Sequence, residues 1–444
     1  MNRIMKDSGI DWLGEIPENW EVKRLKYLGS ARNGLTYSPS DMTDEGILVL
    51  RSSNIQEGSL SFTDNVFVDM QISEDLVLKE NDILICSRNG SRDLIGKCAL
   101  IDKRTAGNTF GAFMCIFRSP YNHFIYYVFQ SNLFSFYLGS YLTATVNQLT
   151  LANLNNMEIP ITFDLLEQKA IANFLDQKCE KIDKLISLEE TAITELKEYK
   201  KSIIQKAVTK GIIKNRKLKN SGIDWIGDIP EEWRIIKFKS ILDDIKGSVK
   251  VGPFGSQLAG DDFIDIGIPV YNQKTIISGN FINSDAFISE KKYDELKGFT
   301  LFPFEMIITT RGTIGKVAIA PKDLINGIIH PCLIKFTPDR KKVSLHFLSY
   351  IFNGSDVTAT QFFLENAATT IPVIYSDTLK NITIILPSLM EQEKIVAFLD
   401  QKCEKIDNLI SQKQQKITVL KEYKKSLIYE YVTGKKQPPK KDTK

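Results

Sequence analysis

The chain has 444 residues, enough for two to four domains that each bury a core of their own. With 43% hydrophobic and 25% charged residues it reads as an ordinary globular protein. No apolar run approaches the ~20 residues of a bilayer span, and the N-terminus lacks the apolar stretch of a signal peptide, which argues for the cytoplasm. Net charge is only +3, too small by itself to announce a nucleic-acid partner.

In chain order, the first distinctive element is DSGIDWLGEIPENW at 7–20. It returns as NSGIDWIGDIPEEW at 220–233, identical at ten of fourteen positions. After it, 21–159 carries short apolar runs, such as 46–50, 82–85, 98–101 and 113–117, punctuated by Gly, Asn, Asp and Ser at strand-like intervals. One helix is expected around 122–138. Pro160 closes this segment.

The stretch 165–210 contains no Gly or Pro. Ile171, Phe174, Leu175, Cys179, Ile182, Leu185, Ile186, Ile193, Leu196 and Ile203 follow at spacings of three and four. Such a helix would run about 65–70 Å, too long to bury its stripe on one small domain. Its start, EQKAIANFLDQKCEKIDKLIS at 167–187, returns at 391–411 with sixteen of twenty-one residues identical, and LKEYKKS occurs at both 196–202 and 420–426. Two matched stripes favour an antiparallel coiled coil about a pseudo-two-fold axis. Gly211 and Gly434 stand where each helix should stop.

Between the repeats, 234–386 hardly resembles 21–159. It again offers short apolar runs, at 306–310, 317–320 and 332–336, a helix around 344–352, and a closing Pro387. DILICSR (82–88) followed by IGK (95–97) parallels EMIITTR (305–311) followed by IGK (314–316). Both read as strand, Arg-bearing turn and second strand. The two variable segments are therefore expected to share a fold and differ in surface, each an α+β domain with a curved or partly barrel-like sheet. The organisation expected is 1–160, first variable domain with its entry motif; 161–212, central long helix; 213–387, second variable domain; 388–434, C-terminal long helix; and 435–444, a basic disordered tail.

Residue chemistry favours recognition over catalysis. The loop of Gly90, Gly96 and Lys97 has the wrong spacing for a phosphate loop and continues with Cys98. No GxGxxG and no Asn/Asp-Pro-Pro-aromatic tetrapeptide occurs, and no carboxylate pair demands acid–base or two-metal chemistry. The six cysteines and three histidines lack metal-ligand spacing. By contrast, 196–219 carries nine Lys/Arg against one Glu, and the tail is basic, which suits a phosphate backbone or a solvated helix end.

Arg88, Arg92 and Lys97, and in the second copy Arg311 and Lys316, lie on expected turns or strand starts from which cations reach phosphates or guanine edges. Thr145, Asn147 and Gln148 in the stretch 143–148, and Thr369, Thr370 and Tyr375 in 369–375, occupy the same place in each repeat. Asn and Gln pair bidentately with adenine. The paired location points to the regions more than to single residues. Trp12, Trp20, Trp225 and Trp233 of the entry motifs read as partner-docking or packing residues.

With this frame laid out, the chain resembles the specificity subunit of a type I restriction–modification system. The residues that carry the resemblance are GIDWxGxIPxxW (9–20 and 222–233), EQxxIxxFLDQKCEKID (167–183 and 391–407) and the LKEYKKS helix ends, in order along the whole chain. The resemblance implies two target-recognition domains, each reading one half of an asymmetric bipartite site in double-stranded DNA. It implies two long helices that set the spacing and dock two methyltransferase subunits, together with restriction subunits. It places S-adenosylmethionine, ATP and Mg in those partners, with no cofactor and no catalysis in this chain. An enzyme reading would need a cofactor loop that the residues do not supply. A purely structural coiled coil leaves two differing domains on matched frames unexplained.

Overall fold

The computed structural model describes residues 3–142, 147–245, 247–366 and 372–439. The chain forms two compact units, one made of Met1–Glu190 and Gln414–Lys444, the other of Thr191–Lys413. Both long helices, Leu165–Lys210 and Leu389–Val432, therefore start in one unit and end in the other.

The first long helix starts where the Asp164 carboxylate accepts the amides of Leu166 (2.9 Å) and Glu167 (3.3 Å). Each helix is followed by a glycine with positive φ, Gly211 at 73° and Gly434 at 71°, a conformation that carries no Cβ penalty in glycine. Within the first unit the two helical stretches run antiparallel. Phe174 lies against Tyr431 with ring centroids 4.6 Å apart, while Asp183 pairs with Lys424 and Glu189 with Lys416. In the second unit Lys200 pairs with Asp407. The buried stripe of Ile171, Leu175, Cys179, Ile182 and Ile186 joins Leu427, Ile428 and Val432 in the core of the first unit.

In the first unit an antiparallel sheet has the order Cys98–Leu100, Ile83–Cys86, Met114–Arg118, Ser30–Asn33. A second sheet has the order Thr109–Phe110, Ile47–Leu50, Phe67–Val68, Met42–Thr43. The second unit repeats both orders. Its sheets are Val317–Ile319, Met306–Thr309, Leu333–Phe336, Val249–Val251, and Ile328–Ile329, Ile268–Tyr271, Phe287–Ile288, Phe263–Ile264. Among the described residues each unit thus has two four-stranded sheets besides two-stranded pairs, where a curved or partly barrel-like sheet was expected.

The period of two explains why a second sheet is needed. Ile83 and Ile85 enter the core beneath the helices, whereas Leu84 and Cys86 enter a separate core with Leu48, Leu50 and Phe110. Strand Met306–Thr309 divides likewise, Met306 and Ile308 to one side and Ile307 to the other. A strand buried on both faces reads as an unbroken apolar run, so its partners on each side were not visible in the pattern.

The helix expected around 122–138 is two helices, Asn122–Gln130 and Asn132–Tyr141. Ser131 takes extended backbone between them, and its hydroxyl caps the second by accepting from Leu133 N (3.3 Å). The second unit breaks at the corresponding serine, Ser355, between Leu345–Gly354 and Asp356–Asn366.

Candidate nucleic-acid interface

Strand Ile83–Cys86 delivers the turn that begins at Ser87. The amides of Ser87 and Arg88 both donate to Phe113 O (3.0 Å each), and Leu149 N donates to Ser87 O (2.8 Å). Arg88 and Gln148 form an isolated antiparallel bridge, and Asn147 Nδ2 reaches Gly90 O at 3.3 Å. Residues some 60 positions apart in sequence thereby meet at one loop cluster. The guanidinium of Arg88 lies over the Phe113 ring, 5.3 Å from its centroid, and Phe113 is 59% exposed. Arg92, on the same turn, donates to Leu142 O (3.1 Å). Lys97, half-buried, closes the turn through its carbonyl, which accepts from Cys86 N at 2.8 Å. Burial alone pushes the thiols beneath this loop upward, Cys86 to about 11 and Cys98 to about 12, so they stay protonated.

The second unit builds the same junction. Thr310 N donates to Cys332 O (3.1 Å), and Ile374 N donates to Thr310 O (3.0 Å). Ser87, Phe113 and Leu149 thus correspond to Thr310, Cys332 and Ile374, and Arg88 corresponds to Arg311. Arg311 is exposed, and with its amide nitrogen facing Arg311, Gln273 donates to the Arg311 carbonyl (3.1 Å) and accepts from Thr313 N (2.9 Å). Lys316 is directed to the end of the helix Leu345–Gly354, where Nζ donates to Asn353 O (3.3 Å), a favourable place for a cation. Tyr375 is exposed and precedes the helix Ser376–Asn381. Thr145, Thr369 and Thr370 lie outside the described residues. Sequence reasoning missed Phe113 and Gln273, whose relation to the arginines arises only from sheet register. An apolar residue just before a strand and a polar residue in the first turn of a helix carry no signal of their own.

The entry-motif tryptophans divide into two kinds. Trp20 and Trp233 are fully buried. Trp20 Nε1 donates to Glu167 (3.2 Å) and Trp233 Nε1 to Glu391 (3.0 Å), at the first turns of the two long helices. Each carboxylate also pairs with an arginine that lies over the tryptophan, Arg3 with Glu167 and Arg216 with Glu391. The docking role is corrected for these two: their rings have no surface to offer, and they lock the entry hairpin to the helix start. Trp12 is partly buried and stacks on Phe136 at 4.3 Å, and Trp225 is 37% exposed.

Among the described residues no group of His, Cys, Asp and Glu is arranged to hold a metal ion, and no helix is long and apolar enough to cross a membrane. Fold and loops together define an internally duplicated α/β protein with one loop cluster per copy, carried on paired helices. The chain belongs to the specificity subunits of type I restriction–modification systems: the family described as type I restriction modification DNA specificity domain matches it twice, at residues 17–218 and 230–419.

Relatives of full length include the type I restriction enzyme StySPI specificity subunit of Salmonella potsdam, 24% identical over 95% of this chain and 90% of its own. The MjaVIII specificity subunit of Methanocaldococcus jannaschii is 24% identical over 95% of this chain and 93% of its own. A chain from a solved structure concerned with complex assembly and conformational transition of the type I R-M system shares the fold. Its TM-score is 0.69 and its identity 16%, covering 94% of this chain and 98% of that one.

Proposed function

We propose that each unit reads one half of a bipartite site in double-stranded DNA, through the loop clusters at Arg88 and at Arg311. The observation that carries this reading is one topology built twice, with the same backbone junction and different side chains on it. Identical scaffolds need differing loops only if each addresses a different sequence. The paired helices set the spacing of the half-sites and seat two methyltransferase subunits, to which restriction subunits add. S-adenosylmethionine, ATP and Mg, and the chemistry they support, belong to those partners.

Exchanging residues 21–159 for the matching segment of another specificity subunit tests the reading. The methylated motif should change in one half only. Change in both halves, or in neither, would remove it.

A further inference from the structure

We propose that Arg88, held on the face of Phe113, reads a guanine in the half-site of the first unit, and that Gln148 beside it reads an adjacent adenine. This deepens the half-site reading and rests on it.

The arginines of the first unit single out one residue. Arg3, Arg24, Arg32, Arg51, Arg104 and Arg118 each pair with a carboxylate, and Arg92 donates to the Leu142 carbonyl. Among the described residues of the first unit, Arg88 is the one arginine whose side chain meets no acceptor, and its contact is the Phe113 ring. A contact with the ring uses no hydrogen-bond acceptor and leaves the guanidinium N–H donors open. A planar fork already oriented loses less entropy when it forms two parallel bonds, and guanine O6 and N7 are the acceptor pair that such a fork fits in the major groove. An aromatic ring as exposed as Phe113 is explained by this task of holding the fork.

Gln148 supplies the second group. Its bridge with Arg88 places both side chains on one face, as for any residues directly opposite in an antiparallel pair. Its amide has no hydrogen-bond partner among the described residues, whereas that of Asn147 is occupied by Gly90 O. A glutamine amide matches adenine N6 and N7. In the second unit the same backbone junction carries Cys332 where the first has Phe113, and Val373 where it has Gln148. Those two positions supply neither ring nor amide, so the guanine–adenine reader belongs to the first half-site.

The test is selection from a randomised duplex DNA pool by the full chain assembled with its modification subunits. Arg88→Ala should lose preference for guanine at one base pair of one half-site, by roughly 5- to 150-fold. Arg88→Gln should move that preference towards adenine, and Gln148→Ala should relax the neighbouring pair. Phe113→Ala should weaken the guanine preference while Phe113→Trp retains it, which separates positioning from loss of fold. The half-site of the second unit should stay unchanged in every variant.

If Arg88→Ala instead weakens binding evenly across sequences, with a shallower salt dependence and the same motif, Arg88 is a phosphate contact and the proposal is overturned. If the unaltered complex selects no bipartite motif, the half-site reading falls and this inference with it.

Discussion

Lys424 donates to both carboxylate oxygens of Asp183 at 2.7 Å, and Lys200 makes the identical pair of bonds to Asp407. Each ion pair is the repeat counterpart of the other, and each ties the first half of one long helix to the second half of the other. Equal pairs at equivalent places are what antiparallel helices with the same sequence must form. The pattern therefore reports the register of the pairing directly.

Reversing one charge should disturb this register mildly. Asp183→Lys places like charges together, and for such an exposed pair the loss is about 0.2–1 kcal/mol. The double variant Asp183→Lys with Lys424→Asp should regain most of it. A double-mutant cycle read by chemical unfolding measures the coupling; zero coupling would mean that the two side chains do not meet in solution.

The entry-motif tryptophans should separate sharply in stability. Trp20→Ala or Trp233→Ala empties a fully buried site and removes the donor to Glu167 or Glu391, at a cost of about 3–5 kcal/mol. Trp225→Ala, at a half-exposed position, should stay within about 0.5 kcal/mol. Equal losses at Trp225 and Trp233 would contradict the assignment of Trp233 to the helix junction.

Lys335 and Glu305 form a buried pair in the second unit, Nζ to Oε2 at 2.8 Å, with Nζ also donating to Thr300 O at 2.6 Å. Lys335→Met leaves the carboxylate buried without its cation and should cost about 3–5 kcal/mol. Adding Glu305→Gln should recover a large part of that, because the charge that lacked a partner is gone. In the first unit Asp82 stands where Glu305 does, and its cation is Arg118, which by sheet register occupies the place of Thr337 and not of Lys335. Arg118→Met should therefore behave alike, with the loss confined to the unit that carries it, as hydrogen exchange would show.

His330 gives the second unit a dependence on pH. Burial lowers its pKa from 6.5, and its Nδ1 accepts the Cys332 amide at 3.2 Å, which requires the neutral ring. Because the folded value lies below the unfolded one, its contribution is intact above 6.5 and is lost as pH falls through the folded pKa. Unfolding of the wild type and of His330→Gln compared across that window should converge on acidification. Parallel curves would show that His330 titrates normally.

The repeat, the two long helices and the stops at Gly211 and Gly434 were readable directly from the residues. Helical periodicity and identity between copies are local properties, and neither depends on what the helix packs against. The break at Ser131 was not readable, because an apolar helical pattern continues through it while the serine hydroxyl offers a competing cap. At the candidate interface the sequence indicated Arg88, Asn147 and Gln148 as residue types suited to bases, and the matched places of 143–148 and 369–375 in the repeat pointed to those regions more than to single residues. What only tertiary structure decided is who touches whom. Sheet register, set across strands distant in the chain, laid Arg88 on Phe113 and opposite Gln148, turned Lys316 to a helix end, and buried Trp20 and Trp233 against Glu167 and Glu391. Those contacts depend on burying both faces of the central strand at once, a condition on three-dimensional packing that no window of sequence contains.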